Sequence, residues 1–249
     1  MDVSPNDLAY CRERLRPWGS RASMIVHLAP AHDRESLLAI FALESEWETL
    51  SRPARNPEGL PPRFAWWSDE LRRLMAGLPT HPVTRLFAAR GLSEILAPSR
   101  LEMALEAFLA THSLSDAPDL AHESRLPLVG ESRGLFLEAS LLGSEPDLPQ
   151  ETFSALALAD WLATWGLTRT HPEACAVLIQ ARSALVTATT SLALFHKRPS
   201  TRPLRVTRAL AHLQLEAGEK ILREPASRGQ RTRPGIAATL WTAWKAARD

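Results

Sequence analysis

Apolar residues along this chain recur at spacings of three and four, and runs of strict apolar–polar alternation are missing. The pattern predicts helices near 5–16, 19–28, 32–51, 63–76, 82–90, 91–95, 98–112, 116–124, 132–143, 150–168, 172–195, 203–222 and 234–247. Leu, Ala, Glu and Arg, all good helix formers, dominate these segments. Prolines cluster between them, at 53–62, 79–82, 146–149, 199–203 and 225–234, where a ring without an N–H punctuates a helix. Asp33 stands where an N-cap is needed, and Pro172 suits a first helical turn after Thr170 or His171. There is no fixed-period repeat and no long flexible linker, and 53–62 reads as a loop inside a domain. The expectation is one all-α domain spanning 1–249, a helical bundle.

Composition narrows the class. The chain is 45% hydrophobic and 23% charged, which excludes a disordered polymer. Two cysteines, Cys11 and Cys175, build neither a disulfide framework nor a cysteine metal site. No apolar run approaches the ~18 residues of a membrane span, and the polar, acidic start does not read as a signal peptide. The expected localisation is cytoplasmic, with a place at the periphery of the inner membrane left open. The formal net charge is +1, so global charge does not argue for nucleic acid. The charge is uneven, however. Residues 197–249 hold twelve basic and four acidic side chains, a net +8, leaving −7 on residues 1–196. Either the C-terminal end meets an anionic partner or it presents a solvated, Arg-rich surface.

The segment 36–50 is the most informative. At ~100° per residue, Leu37, Ile40, Phe41, Leu43, Trp47 and Leu50 share one broad face, and Glu44 and Glu48 fall on it one turn apart. Glu46 falls opposite, toward solvent. A carboxylate among apolar side chains needs an arginine, a metal or a polar cavity. Pairing with arginines inside or at the lip of the bundle is one solution; a ligand or metal pocket is the other.

Several stretches carry a family resemblance. They are Arg21-Ala-Ser-Met-Ile-Val-His-Leu-Ala-Pro30, Arg34, Leu37-Leu-Ala-Ile-Phe-Ala-Leu43, Arg63-Phe-Ala-Trp-Trp-Ser-Asp-Glu-Leu71 and Gly77-Leu-Pro-Thr-His-Pro-Val83. In order and spacing they resemble the opening helices of the squalene/phytoene synthase family. Gly130 to Gly143 and the 150–168 helix resemble its later layout more loosely. The resemblance implies an isoprenoid (terpenoid) synthase type of fold. It also implies a reaction in which two prenyl diphosphates join head to head, through a cyclopropyl diphosphate, to give squalene or phytoene. That chemistry uses two Asp-x-x-x-Asp motifs on facing helices to hold Mg²⁺ against diphosphate.

This sequence departs from that pattern. One alignment puts Glu48 and Arg52 on the first aspartate pair, and a shifted one puts Glu44 and Glu48 there. The 150–168 helix offers Asp160, followed one turn later by Thr164. Glu44, Glu48, Asp160, Thr164 and Arg52 are therefore the candidates for the cavity or diphosphate end, with Glu44 and Glu48 as metal ligands if Mg²⁺ binds. Otherwise no cofactor is expected. Phe41-Ala-Leu-Glu-Ser-Glu46 and the Trp-Trp helix are similar to the branch lacking the catalytic aspartates, the mitochondrial complex I assembly factor and its bacterial relatives. The resemblance thus implies a degenerate member that binds an isoprenoid or lipid, or assists assembly of a membrane complex beside a protein partner. The alternative is an active Mg²⁺-dependent prenyltransferase. A helical interaction protein with a solid interior is a third.

Other features read as structural. His81-Pro82 is a turn that starts a helix. His27 reads as a core histidine, and Cys11 as packing. His112, His122, His171, His196 and His212 lack metal-ligand spacing. Glycine-rich nucleotide loops and serine-hydrolase elbows are absent. Trp66, Trp67, Trp161 and Trp165 are expected to line the core. Trp241 and Trp244, with basic neighbours, suit either a membrane or partner contact or packing on the bundle.

Overall fold

The computed structural model describes residues 3–15, 20–51, 60–111, 126–143, 148–166, 171–192, 201–223 and 236–248. Among them the chain forms α1 (Pro5–Arg14), α2 (Arg21–Leu28), α3 (Arg34–Ser51), α4 (Leu60–Met75), α5 (Pro82–Ala89), α6 (Pro98–Thr111), α7 (Leu126–Ala139), α8 (Gln150–Gly166), α9 (His171–Leu192), α10 (Arg202–Arg223) and α11 (Ile236–Arg248), and no strand. The all-α class expected from the periodicity is observed. No helix among the described residues is long and apolar enough to cross a membrane.

Local chemistry explains most boundaries. Ser4 and Ser20 cap α1 and α2 by accepting from the backbone N–H of Asn6 and Ser23. Asp33 directly precedes α3, its carbonyl accepting from Leu37 N at 3.0 Å. His81 caps α5 ahead of Pro82, so the His-Pro pair is the structural turn its sequence suggested.

Three expectations shift. The α4 helix begins at Leu60, because Pro61 and Pro62 fall in a first turn where a missing N–H is harmless. The loop expected to run through 62 thus ends earlier, and 52–59 lie outside the described residues. The α7 helix starts at Leu126, well before 132, since Pro127 sits in its first turn and Gly130 lies inside the helix. The 91–95 segment is only a 3-10 turn, Leu92–Glu94, entered through Gly91 at φ 65°. The expected helix at 116–124 lies outside the described residues.

Helix α3 is the axis of the first core. Helices α1, α2, α4, α5, α6 and α7 all pack against it. Ala39, Ile40, Phe41, Ala42, Leu43 and Trp47 are fully buried. The Trp47 indole meets Trp67, Phe108 and Phe136 edge-on, with centroids 6.1, 6.0 and 5.5 Å apart. A second core surrounds α8, where Leu156, Ala159, Leu162 and Ala163 pack with Ala181, Ala188, Leu204 and Ala211. Helices α7 and α10 contribute to both cores, through Phe136 and Leu210 on one side and Leu137 and Ala211 on the other.

The α7–α8 contact is unusually close. A Cβ at Gly130 would lie 2.8 Å from the Ser154 carbonyl oxygen, and one at Gly134 would lie 2.9 Å from the Ser154 nitrogen. Backbone cannot yield as a side-chain tip can. In an open helix, Gly→Ala gains about 1 kcal/mol. Here Gly134→Ala is expected instead to lower unfolding stability by about 1–3 kcal/mol, the scale of overpacking. Urea titration of the variant against the wild type reads the sign directly.

Candidate functional site

The acidic pair on α3 does face a polar centre in the bundle. Glu44 is buried, and its Oε1 accepts from Arg21 Nη2 of α2. The same guanidinium reaches α8, with Arg21 Nε 3.3 Å from Asp160 Oδ2. Glu48 sits one turn along α3, its side chain 36% exposed, and accepts from Arg133 Nη1 of α7 at 3.1 Å. Arg133 lies over the rings of Phe108 and Trp161 at 5.1 and 5.8 Å, and Arg21 over Phe41 at 5.5 Å. Three carboxylates and two guanidiniums from four helices thus meet at one place, where they carry one negative charge if all are ionised. Burial is the main influence on Asp160 and pushes its carboxyl up to about 6. Arg21 and Arg133 oppose that rise, while Glu44 and Glu48 add to it.

The structure therefore brings Glu44, Glu48 and Asp160 to one place and pairs them with arginines, one of the two solutions that the burial argument left open. Thr164 lies on α8, but its side chain is outside the described residues, as is Arg52 altogether. Sequence reasoning did not name Arg21 or Arg133 as the partners of these carboxylates. The available signal was a lone guanidinium in an apolar helix, most visible for Arg133 in Leu126-Pro-Leu-Val-Gly-Glu-Ser-Arg-Gly-Leu-Phe-Leu137. Arg21 Nη1 is buried without a hydrogen-bond partner among the described residues, leaving one donor for an oxygen acceptor.

This donor set does not fit a magnesium cluster. Mg²⁺ needs several hard oxygens in a near-octahedral shell, whereas here guanidinium groups lie against each carboxylate that would supply them. Among the described residues, no three of His, Cys, Asp and Glu form a group able to hold a metal. Two grooves, of about 680 and 620 Å³, lie along α1–α3 and along α6–α8; neither is lined by Glu44, Glu48 or Asp160.

No family model matches this chain, and no curated protein and no solved structure matches it.

A second polar centre was not foreseen. Glu46, expected in solvent, is buried at 9% exposure because α1 covers that side of α3. Its carboxylate accepts from the Tyr10 hydroxyl at 2.6 Å and pairs with Arg14 Nε at 2.6 Å. Burial first, then Glu46, pushes the Tyr10 phenol up to about 12. Tyr10 also accepts from Arg14 at 2.7 Å and lies 3.3 Å from His81 Nε2. Since His81 Nδ1 accepts from Val83 N, the proton on Nε2 completes this network. Nearby, Glu70 is fully buried at the start of α5 and accepts from the backbone N–H of Thr80 and His81, both at 2.8 Å. Burial alone would raise its pKa. Bonds from His81, Thr80, Thr84 and Arg73 outweigh burial and hold it at about 2.

Other expectations also change. His27 is exposed beside the α1–α3 groove and is not in the core, because the buried face of α2 runs through Ser23, Met24 and Ile25. Trp66 is 41% exposed while Trp67 is buried, as adjacent helical positions must diverge in direction. Trp161 is half-buried, and the Trp165 side chain lies outside the described residues. Cys11 is buried packing, as expected.

Asp160 and Glu70 shift in opposite directions, and so do their effects. The folded state holds the Asp160 proton more tightly than the unfolded chain, so its ionisation costs stability as pH rises from about 4 to about 6. Asp160→Asn should gain on the wild type across that window, by on the order of 2 kcal/mol at pH 7, in denaturant titrations run at each pH. Glu70 contributes stability above the ordinary carboxylate range and loses it as pH falls toward about 2. Glu70→Gln is expected to lose about 1–3 kcal/mol at neutral pH, with the gap from wild type closing in acid.

Proposed function

We propose that this chain is a squalene/phytoene synthase-like bundle that acts by binding rather than by metal-dependent condensation. Its ligand would be an isoprenoid or lipid, or a component of a membrane complex that it helps to assemble. The observation that carries this reading is the pairing of Glu44, Glu48 and Asp160 with Arg21 and Arg133. A prenyl synthase needs those oxygens free for cations that draw electrons from the leaving diphosphate. In this chain a guanidinium of fixed charge takes the place a cation would hold. A guanidinium can donate to a diphosphate, a carboxylate or a hydroxyl head, and Arg21 Nη1 has no acceptor among the described residues.

Asp160 lies on α8, facing the α3 pair across Arg21, and this convergence of carboxylates from two helices is what favours the alternative of an active Mg²⁺-dependent prenyltransferase. For that reading, substrate and metal together would have to displace both guanidiniums. Separating charges at this depth costs several kcal/mol.

Calorimetric titration of farnesyl diphosphate into the protein, with Mg²⁺ and then with EDTA, separates the two. Binding indifferent to metal and weakened by Arg21→Gln is the expected result, as is the absence of squalene or phytoene in a product assay. Metal-dependent binding lost in Glu44→Gln and Glu48→Gln, together with turnover, would instead establish the prenyltransferase.

A further inference from the structure

The last helix is amphipathic in a way the bundle does not use. Its inner stripe is Thr239, Ala243 and Ala247, small and buried, laid against α10. Arg205 of α10 locks that orientation. Its guanidinium is buried, donates to the Ala246 carbonyl at 3.0 Å, and also bonds Thr201. Capping the last carbonyls of α11 with a cation suits the negative end of the helix dipole.

The opposite stripe is consequently held outward. Leu240, Trp241 and Trp244 are 41%, 64% and 40% exposed. The two indoles stack with centroids 5.1 Å apart and planes 29° from parallel. The Arg248 guanidinium lies over Trp244 at 4.6 Å, and exposed Lys245 flanks it. Two indoles standing in water next to two cations, on a helix without an acidic residue, is an arrangement that packing does not require.

We propose that this face of α11 docks on an anionic lipid surface. Tryptophan is favoured at the boundary between headgroups and acyl chains, where its ring is apolar and its N–H remains wet. Lysine and arginine beside it reach phosphate oxygens. The charge of the whole chain agrees. The Arg205 contact sets the start of α10 beside the end of α11, where Lys245 and Arg248 stand exposed. Residues 197–249 carry +8 and residues 1–196 carry −7. An anionic surface therefore attracts the C-terminal sequence more than the rest of the chain, in the same sense as exposed Lys245 and Arg248 on this face. A two-fold contact with a second copy is disfavoured by the same charges, since it would set Lys245 and Arg248 against themselves. The proposal does not depend on what the polar centre of the bundle binds.

Vesicle flotation tests it on the full chain, using phosphatidylcholine with and without phosphatidylglycerol. The chain should float with the anionic vesicles, remain behind with the neutral ones, and be released by high salt. Lys245→Glu/Arg248→Glu should weaken binding by roughly thirtyfold or more, at about 1 kcal/mol per basic residue. Trp241→Ser/Trp244→Ser should weaken it comparably, with thermal unfolding of both variants unchanged because the side chains are exposed. Glu44→Gln should float like the wild type, which separates surface docking from lipid uptake at the polar centre. Failure to float, flotation indifferent to either double variant, or equal binding to neutral vesicles would overturn the proposal. So would a wild-type dimer that the tryptophan variant converts to monomer, since the face would then belong to a second copy.

Discussion

One helix carries two buried glutamates and a third at the rim of the bundle, and pairing each with an arginine organises the N-terminal half of the molecule. Glu44, Glu46 and Glu48 lie on α3, and each pairs with an arginine from a different neighbour: Arg21 of α2, Arg14 of α1 and Arg133 of α7. A buried carboxylate without a partner would cost several kcal/mol, so each of those helices is restricted to placements that deliver its guanidinium. Aliphatic packing alone tolerates sliding and rotation, because one leucine contact substitutes for another. Ion pairs of fixed geometry do not, and here they set the rotation of α3 against three helices at once.

Read one helix at a time, the sequence contains the periodicity but not the neighbours. The wheel of α3 correctly placed Glu44 and Glu48 on the inner face. It placed Glu46 outside because a single helix has an outside, and α3 in the folded chain has almost none. Long-range partners are hidden for the same reason. Nothing in the spacing of Glu48 and Arg133 ties residues so distant in sequence together, and Tyr10 reaches Glu46 by a similar long route. Glu70 lies closer to its partners, and its Glu-Leu stretch and the His-Pro stretch follow one another in the sequence. The structure shows that they touch, through the bond from His81 N to the carboxylate. Helix α7 begins six residues before the expected 132, with Pro127 in its first turn and Gly130 against the backbone of α8.

The two polar centres on α3 differ in kind. Around Glu46 and Glu70 the groups are matched: each carboxylate has several donors, the histidine tautomer follows from its neighbours, and the network anchors the start of α5. Around Glu44 the matching among the described residues is incomplete, with three acids against two bases, one carboxyl pushed up to about 6 and one guanidinium nitrogen unpartnered. Satisfied networks fix a fold, whereas unfinished ones leave capacity for a ligand or a proton. That difference is the reason to seek function around Glu44 and stability around Glu46 and Glu70.

Where α7 crosses α8, glycine removes the layer of side chains that ordinarily separates two helices, and main chain rests on main chain. A side-chain layer acts as a compliant gasket, able to absorb a shift of one helix without moving the other. Without it the pair moves as a single beam. Arg133 and Asp160 are mounted on opposite members of that pair, so their spacing follows the close backbone contact of α7 with α8. Any motion that opens the polar centre must then part α2 and α3 from this beam, and Arg21, which joins Glu44 to Asp160, is the clasp across that gap.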